Sequence, residues 1–547
     1  MKNVAEIIKK NSTYLLILIP VFYFLVGAYF RYIFGDLSLR SVDPDYMHFL
    51  SGMCISTGKF SQANIDHPAS TLQLILALVF KIIYLFRPHN LPYFEDAITN
   101  SDLYLSAANL VLTTLISGAI LITGHKIYKI SGSLVSALLI QTSPFLANIL
   151  YDIIGRIYPE LLLPIPIFIL IVVCFKAIYN ENEQPSVGWI AFAIAFGMAT
   201  KATFLPVALL PFFILTTRKQ FVRYMIFSVL FYLALALPVT FQLSHYWNWM
   251  KDFFIHSGDY GRGDSNIINP EEFIRNMKEI FTSEKVLFYS AGLLALSFLL
   301  FLRKVKTKRG KVIFRIALGI ILLLIIQTLL ISKQYGYRYF VPILLLSPFI
   351  FYLISEQIRL RFPDWKVYYT TSFVLILLMM RIIAIQFPSI QLRSQYIGEQ
   401  MQARIESSHV VKRLPANSYK LITTQDYGCP FHEFSIMHSF CVAGQNWPNY
   451  REKIAAIYPK TYLFFTWDNT IKYWGPDFDP ANGDQVFIYL ENDTKELLEK
   501  TLQKFFDKKA YQPGKLDTLF LNPVNHEIIY ETLIKRVDQI EGAAAIQ

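Results

Sequence analysis

The sequence predicts a polytopic α-helical membrane protein that ends in a small extracytoplasmic α/β domain. Three observations carry that prediction. Of 547 residues, 54% are hydrophobic and only 17% are charged, and the mean hydropathy is +0.38, whereas soluble chains carry about 25% charged residues. Apolar runs of about 20 residues, the length that crosses a bilayer core, recur as far as residue 387. From residue 388 the composition turns polar and short strand-like runs replace them.

The long runs fall near 13–34, 103–123, 133–151, 161–178, 187–200, 203–216, 222–243, 285–302, 312–331, 340–354 and 367–387, about eleven spans. The first is too long for the apolar part of a signal peptide and lacks a small-residue cleavage site, so it reads as a retained span. Segment 69–86 is also apolar, but Pro68 starts it, Lys81 interrupts it and Arg87-Pro88 ends it. A juxtamembrane helix lying on the surface is expected there. With that segment not crossing and Lys2, Lys9 and Lys10 in the cytoplasm, the other basic links fall on the same side. They are Lys126 and Lys129, Lys176, Arg218 to Arg223, the 303–315 run, and Arg359 to Lys366. That is the positive-inside pattern. The net charge of +11 therefore belongs to membrane links, not to a nucleic-acid surface.

This topology puts loops 35–102 and 244–284, the 152–160 turn and everything after about 388 on the outer side. It divides the chain into a membrane module, 1–387, and a soluble domain, 388–547. In the latter, 420–423, 461–465 and 485–490 read as strands, and 494–506 as an amphipathic helix. Cys429 and Cys441 fall together there, and an extracytoplasmic setting permits a disulfide. Cys54 and Cys174 read as packing residues.

Acids and bases at the outer ends of the spans are the candidate functional groups, because charge near hydrocarbon needs partners, water or a metal. Asp43 and Asp45 flank Pro44 and precede Tyr46. One carboxylate suits a general base and the other a geometric role, while helix capping is the plainer alternative. Asp66-His67-Pro68 returns an acid and an imidazole to the same interface, and Asp with His also suits a divalent metal. The glycine-rich 255–264 loop brings His256, which with Asp66 forms the candidate metal pair. Glu160 follows Pro159 at the start of a span, where a helix dipole stabilises an acid. Lys201 interrupts two apolar runs, where it either holds a lipid phosphate or snorkels to headgroups. Tyr337-Arg338-Tyr339 offers a guanidinium fork for phosphate, or an aromatic-belt anchor.

Taken in order, Asp43-Pro44-Asp45-Tyr46, Gly58-Lys59-Phe60 and Asp66-His67-Pro68 resemble the first outer loop of GT-C glycosyltransferases. Among these the protein O-mannosyltransferases and lipid A aminoarabinose transferases are the nearest in pattern. Arg156 to Glu160 is similar to that family's acidic turn before the fourth span, Ala199-Thr200-Lys201 to its Thr-Lys element, and Tyr337-Arg338-Tyr339 with Pro342 to its late Arg-Tyr element. The likeness covers roughly residues 1–345, and it departs at Asp-Pro-Asp for Asp-Glu and at His67 for Lys. It implies a GT-C-like fold and an enzyme of the bacterial inner membrane. That enzyme would move a sugar, with inversion, from a polyprenyl-phosphate donor to a lipid, glycan or protein acceptor. Asp43 or Asp45 would be the base, and Tyr46, Asp66, His67, Glu160, Lys201, Tyr337, Arg338 and Tyr339 would line the substrate site. Two other classes stay open: a polytopic transporter or flippase, which would place charges near span midpoints, and a non-catalytic membrane assembly subunit.

Overall fold

The computed structural model describes all residues except 1–11, 41–42, 148, 181–183, 258–262, 264, 302–304, 363, 426–427, 441–449, 467–468, 508–509 and 537–547. Cys441 and most of the glycine-rich loop fall among these, and with Cys441 the expected Cys429 pairing. Cys54, Cys174 and Cys429 are buried.

Six described helices are long and apolar enough to cross a membrane: Thr13–Phe34, Ser101–Ser131, Pro159–Tyr179, Lys308–Ser332, Arg338–Arg361 and Val367–Val411. The pair Pro270–Ser283 and Lys285–Phe301, bent by 87°, makes a seventh if it counts as one span. The other apolar runs are broken, and proline accounts for most breaks because it removes a helix donor and clashes with the preceding turn. Run 133–151 forms Leu134–Gln141, Ser143–Leu146 and Ile149–Ile153, with Pro144 opening the second piece. Run 203–216 forms a 3₁₀ segment, Ala202–Leu209, containing Pro206, and then Pro211–Ile214. Run 222–243 breaks after Arg218–Leu235, with Pro238 in Leu237–Thr240. Segment 69–86 is a helix, Ser70–Phe86. Its 17 residues reach about 26 Å, short of a 30 Å core.

The chain divides into two compact units. The first comprises 1–30, 65–74 and 109–391. Buried amides tie its helices where apolar side chains alone would leave the register loose. Gln141 donates to the carbonyls of Leu16 and Ile120 at 3.0 and 3.2 Å, and Gln327 to those of Thr203 and Tyr339 at 3.1 and 3.0 Å. Asn109 donates to those of Ile154 and Arg156 at 2.9 and 2.8 Å. Glu356, 1% exposed, accepts from Arg309 at 2.8 Å and Arg359 at 3.1 Å.

The second unit comprises 31–64, 75–108 and 392–547. Its sheet contains β1 (Tyr419–Thr424), β2 (Thr461–Phe465), β3 (Thr470–Tyr473), β4 (Gln485–Leu490), β5 (Tyr511–Pro513), β6 (Asp517–Leu521) and β7 (Ile528–Arg536), in the order β3-β2-β1-β4-β7-β5 with β6 also on β7. Central β1 pairs in parallel with β2 and β4, and the other pairings are antiparallel. The expected strands and the 494–506 helix, here Lys495–Phe506, are all present. The largely apolar β2 and β4 and the last four residues of β1 are buried, as strands covered on both faces require. Leu421, Phe464 and Ile488 pack with Phe505 and Phe506.

The same unit clamps the first loop. Arg404 donates to the carbonyls of Leu39 and Arg40 at 2.9 and 3.1 Å and to Glu527 at 2.9 Å. Tyr489 reaches Glu527 at 3.0 Å, and Ser435 donates to the Ser38 carbonyl at 3.1 Å.

Gly197 lies in the helix Val187–Thr200, where a Cβ would stand 2.3 Å from the ring of Phe204. The Gly197→Ala variant should lose about 1–2 kcal/mol, because overpacking outweighs the gain in helix propensity. Thermal unfolding in detergent measures this, and an unchanged or higher midpoint would contradict the packing.

Candidate functional site

In the first unit, four interruptions of regular structure meet. The first is the loop 65–69. Ile65 is buried with Ala199, Ala236 and Val239, and the backbone then takes φ of 60° at His67 and 49° at Ala69. Left-handed φ at residues with a Cβ costs energy and persists only where neighbours enforce it. Here the Ala69 N–H donates to the Thr200 carbonyl at 3.2 Å, and the Thr71 and Thr200 hydroxyls bond at 2.6 Å.

The second interruption is at Lys201. Its extended backbone ends the helix Val187–Thr200 before the 3₁₀ segment begins. The third is the turn into Pro159–Leu162, and the fourth is Tyr337–Phe340. Gln327 ties the second to the fourth through its two carbonyl contacts.

Charge gathers at these breaks. Lys201 Nζ lies 2.9 Å from Glu160 Oε1, with side-chain exposures of 6% and 0%. Arg338 is a second cation acting on Glu160, so the group carries one net positive charge. Rings enclose it. Lys201 Nζ sits 5.5 Å from the centre of Tyr339, and the Arg338 guanidinium lies 6.0 Å from Tyr339 and 5.8 Å from Tyr158. The His67 ring is 6.0 Å from Tyr339 and 5.2 Å from Trp249.

Five of the expected residues thus come together: His67, Glu160, Lys201, Arg338 and Tyr339. Asp66 is half-buried in the same loop. Only the backbone of Tyr337 is described. His256 caps the helix Leu243–Ile255, with Nδ1 3.3 Å from the Asp252 carbonyl. No group of three or more His, Cys, Asp or Glu side chains among the described residues can hold a metal. Asp66 and His256 alone do not make the donor set of a divalent cation.

The remaining three expected residues belong to the second unit. Asp43 is half-buried ahead of a helix, Asp45–Ser56, whose first turn holds Asp45, itself 0% exposed. An acid in that turn is favoured by the helix dipole. Tyr46 is fully buried and starts a chain of hydroxyls. Its OH bonds Ser101 Oγ at 2.8 Å, Ser101 Oγ bonds His432 Nε2 at 2.6 Å, and His432 Nδ1 bonds the Tyr458 OH at 2.6 Å. Burial pushes the Tyr46 hydroxyl up, so it stays protonated. Burial pushes His432 down, against Asp36 and Glu433 and with Lys412 acting the same way as burial. Sequence reasoning missed Ser101, His432 and Tyr458, since a lone histidine in a polar domain carries no pattern. It also missed Trp249, which sits within an aromatic helix without a motif.

No protein-family model matches the sequence, and no curated protein matches it. Among solved structures, the chain is similar to ArnT from Cupriavidus metallidurans bound to undecaprenyl phosphate, with 11% identity, a TM-score of 0.48, and 93% of this chain and 97% of that one covered. The apo state of the same protein matches with 12% identity, a TM-score of 0.47 and the same coverage. Overlap of that extent leaves the chemistry to be read from this chain's own side chains.

Removing one partner of a buried pair leaves an uncompensated charge, at a cost of about 3–5 kcal/mol. Glu160→Gln leaves two cations facing each other, whereas Lys201→Met leaves Glu160 with Arg338. Glu160→Gln should therefore be the more destabilising, and the double variant should recover part of the loss. Equal unfolding midpoints for the two single variants would contradict this arrangement.

His438 is held down to about 4 by burial, with Lys472 adding to the effect. Both His432 and His438 are depressed in the fold, so below about pH 6.5 the unfolded chain binds protons that the native chain does not. Stability should fall as pH drops from about 6.5, and the His438 share should be complete near pH 4. A His432→Asn/His438→Asn variant should show a shallower decline between pH 7.5 and 5 in thermal unfolding. An unchanged slope would contradict the assignment.

Proposed function

We propose that the chain is an integral-membrane glycosyltransferase of the GT-C kind. It moves a sugar from a polyprenyl-phosphate donor to a lipid, glycan or protein acceptor outside the cytoplasm. The observation that carries this reading is the buried Glu160 with Lys201 and Arg338 at a meeting of broken helices. Irregular backbone at membrane depth is tolerated only where protein buries it or it lines a cavity. A donor that travels in the bilayer plane delivers its phosphate to such a place. The net positive charge there suits a leaving phosphate, whose negative charge grows as the glycosidic bond breaks.

In this reading the acceptor oxygen attacks the anomeric carbon and forms the new C–O bond. The bond from that carbon to the phosphate oxygen breaks, and its electron pair leaves with the polyprenyl phosphate. Lys201 and Arg338 stabilise that charge, and Glu160 holds Lys201 in place. The acceptor proton passes to a carboxylate, for which the likeness of the first outer loop nominates Asp43, half-buried, ahead of the fully buried Asp45. Attack from the face opposite the leaving phosphate inverts the anomeric centre. In this reading the N-terminus is in the cytoplasm and the chemistry lies on the outer side of a bacterial inner membrane, as the basic links suggest.

The test uses purified protein in liposomes with a panel of undecaprenyl-phosphate-linked pentoses and hexoses, and native mass spectrometry of undecaprenyl phosphate binding. Asp43→Asn should lose about 10²–10⁴-fold in turnover while binding undecaprenyl phosphate as the wild type does. Arg338→Ala should weaken that binding at least about tenfold. Full turnover in Asp43→Asn, or equal undecaprenyl phosphate affinity in Arg338→Ala, would overturn the respective role.

A further inference from the structure

We propose that a basic cavity in the first unit, lined by none of the Lys201 cluster's residues, binds the headgroup of an anionic glycerophospholipid. The cavity holds about 570 Å³ and is lined by Lys308, Lys311 and Arg315, with Asn180, Gln184 and Thr216 adding neutral polar groups. The three basic residues are spaced i, i+3 and i+7 along the helix Lys308–Ser332, so they share one face of its first two turns. Like charges at that spacing repel, and cations at a helix N-terminus oppose its dipole. An anion in the cavity relieves both costs.

Neighbouring charges set this face apart. Arg309, on another face of the same helix, is ion-paired to buried Glu356, which also pairs with Arg359. Among the described residues, Lys311 and Arg315 form no ion pair, and Arg315 Nε is buried without a hydrogen-bond partner. Gln220, also in the lining, is already committed, accepting from the Thr216 and Thr217 amides at 2.9 and 3.2 Å.

A lipid fits better than a free anion because apolar space adjoins in the chain. Ala177 and Pro185 line the basic cavity, and their neighbours Lys176 and Ser186 line an apolar groove of about 350 Å³ with Phe168 and Trp189. Basic pockets between membrane helices on the cytoplasmic side are suited to anionic headgroups. The 303–315 link lies on that side in the orientation set by the basic links. The inference rests on the chain being a membrane protein with its basic links in the cytoplasm, not on its being a transferase.

The test is native mass spectrometry of delipidated full-length protein in detergent, titrated with dioleoylphosphatidylglycerol, dioleoylphosphatidylethanolamine, undecaprenyl phosphate or inorganic phosphate. The wild type should retain phosphatidylglycerol in preference to phosphatidylethanolamine, and millimolar inorganic phosphate should not displace it. Lys311→Gln/Arg315→Gln should weaken phosphatidylglycerol binding about thirtyfold, and Lys311→Gln alone, at an exposed side chain, about fivefold. Undecaprenyl phosphate binding, which probes the proposed donor site, should be unchanged in both. The inference is overturned if these variants bind phosphatidylglycerol as the wild type does, if phosphatidylethanolamine binds equally, or if inorganic phosphate or undecaprenyl phosphate competes at equal concentration.

Discussion

A charge taken out of water must find an opposite charge, and the arrangement around Lys201 follows from that requirement. Lys201 is 4% exposed and Glu160 0%, so neither is tolerable alone. The pair forms because each residue stands where a helix is interrupted and its side chain is not committed to a lipid-facing stripe. Lys201 leaves the helix Val187–Thr200 in an extended conformation, and the chain folds back so that Phe204 lies against Gly197. Only a residue without a Cβ allows that approach. The packing at Gly197, the break at Lys201 and the ion pair to Glu160 are therefore one local solution.

The same logic bears on the second unit and its C-terminal sheet. The first loop buries Leu37, Leu39, Phe49 and Leu50, but the carbonyls of its irregular stretch still need donors. In the second unit, Arg404, Ser435 and His432 supply what the loop lacks: donors to the carbonyls of residues 38–40 and a hydroxyl chain to Tyr46. Gly428 presses this further, since a Cβ there would fall 1.8 Å from the Arg40 carbonyl oxygen. The sheet's buried apolar strands make the platform rigid, and the polar groups on the elements around it do the holding. Orienting Tyr46 this way fixes the turn in which Asp43 and Asp45 stand.

Much of this was legible in the sequence, and the part that was not has a physical reason. Short runs rich in β-branched and aromatic residues marked β1, β2 and β4, and an amphipathic period marked the Lys495–Phe506 helix. The cluster residues His67, Glu160, Lys201, Arg338 and Tyr339 were visible as charges or rings misplaced against an apolar background. Hydropathy, however, counts apolar residues without asking whether the backbone stays helical. Pro144, Pro206, Pro211 and Pro238 broke runs that composition alone would read as spans. The His432 and Ser101 contacts bring together positions 331 residues apart, and no local pattern records such a meeting.

Broken helices are the more informative departure. A helix that satisfies its own backbone is the default in hydrocarbon, and each interruption releases donors and acceptors that something else must satisfy. Around Lys201 the released carbonyls are taken up by specific donors: those of Thr203 and Tyr339 by the Gln327 side chain, those of Ile154 and Arg156 by the Asn109 side chain, and that of Thr200 by the Ala69 backbone amide. Satisfying four interruptions with dedicated amides is costly if the only aim is to stay folded, since a continuous helix needs none of them. The expense is intelligible if the interruptions serve to bring Glu160, Lys201, Arg338 and His67 to one place with rings around them. In the proposed function, that gathering of charge is what receives a lipid-linked phosphate.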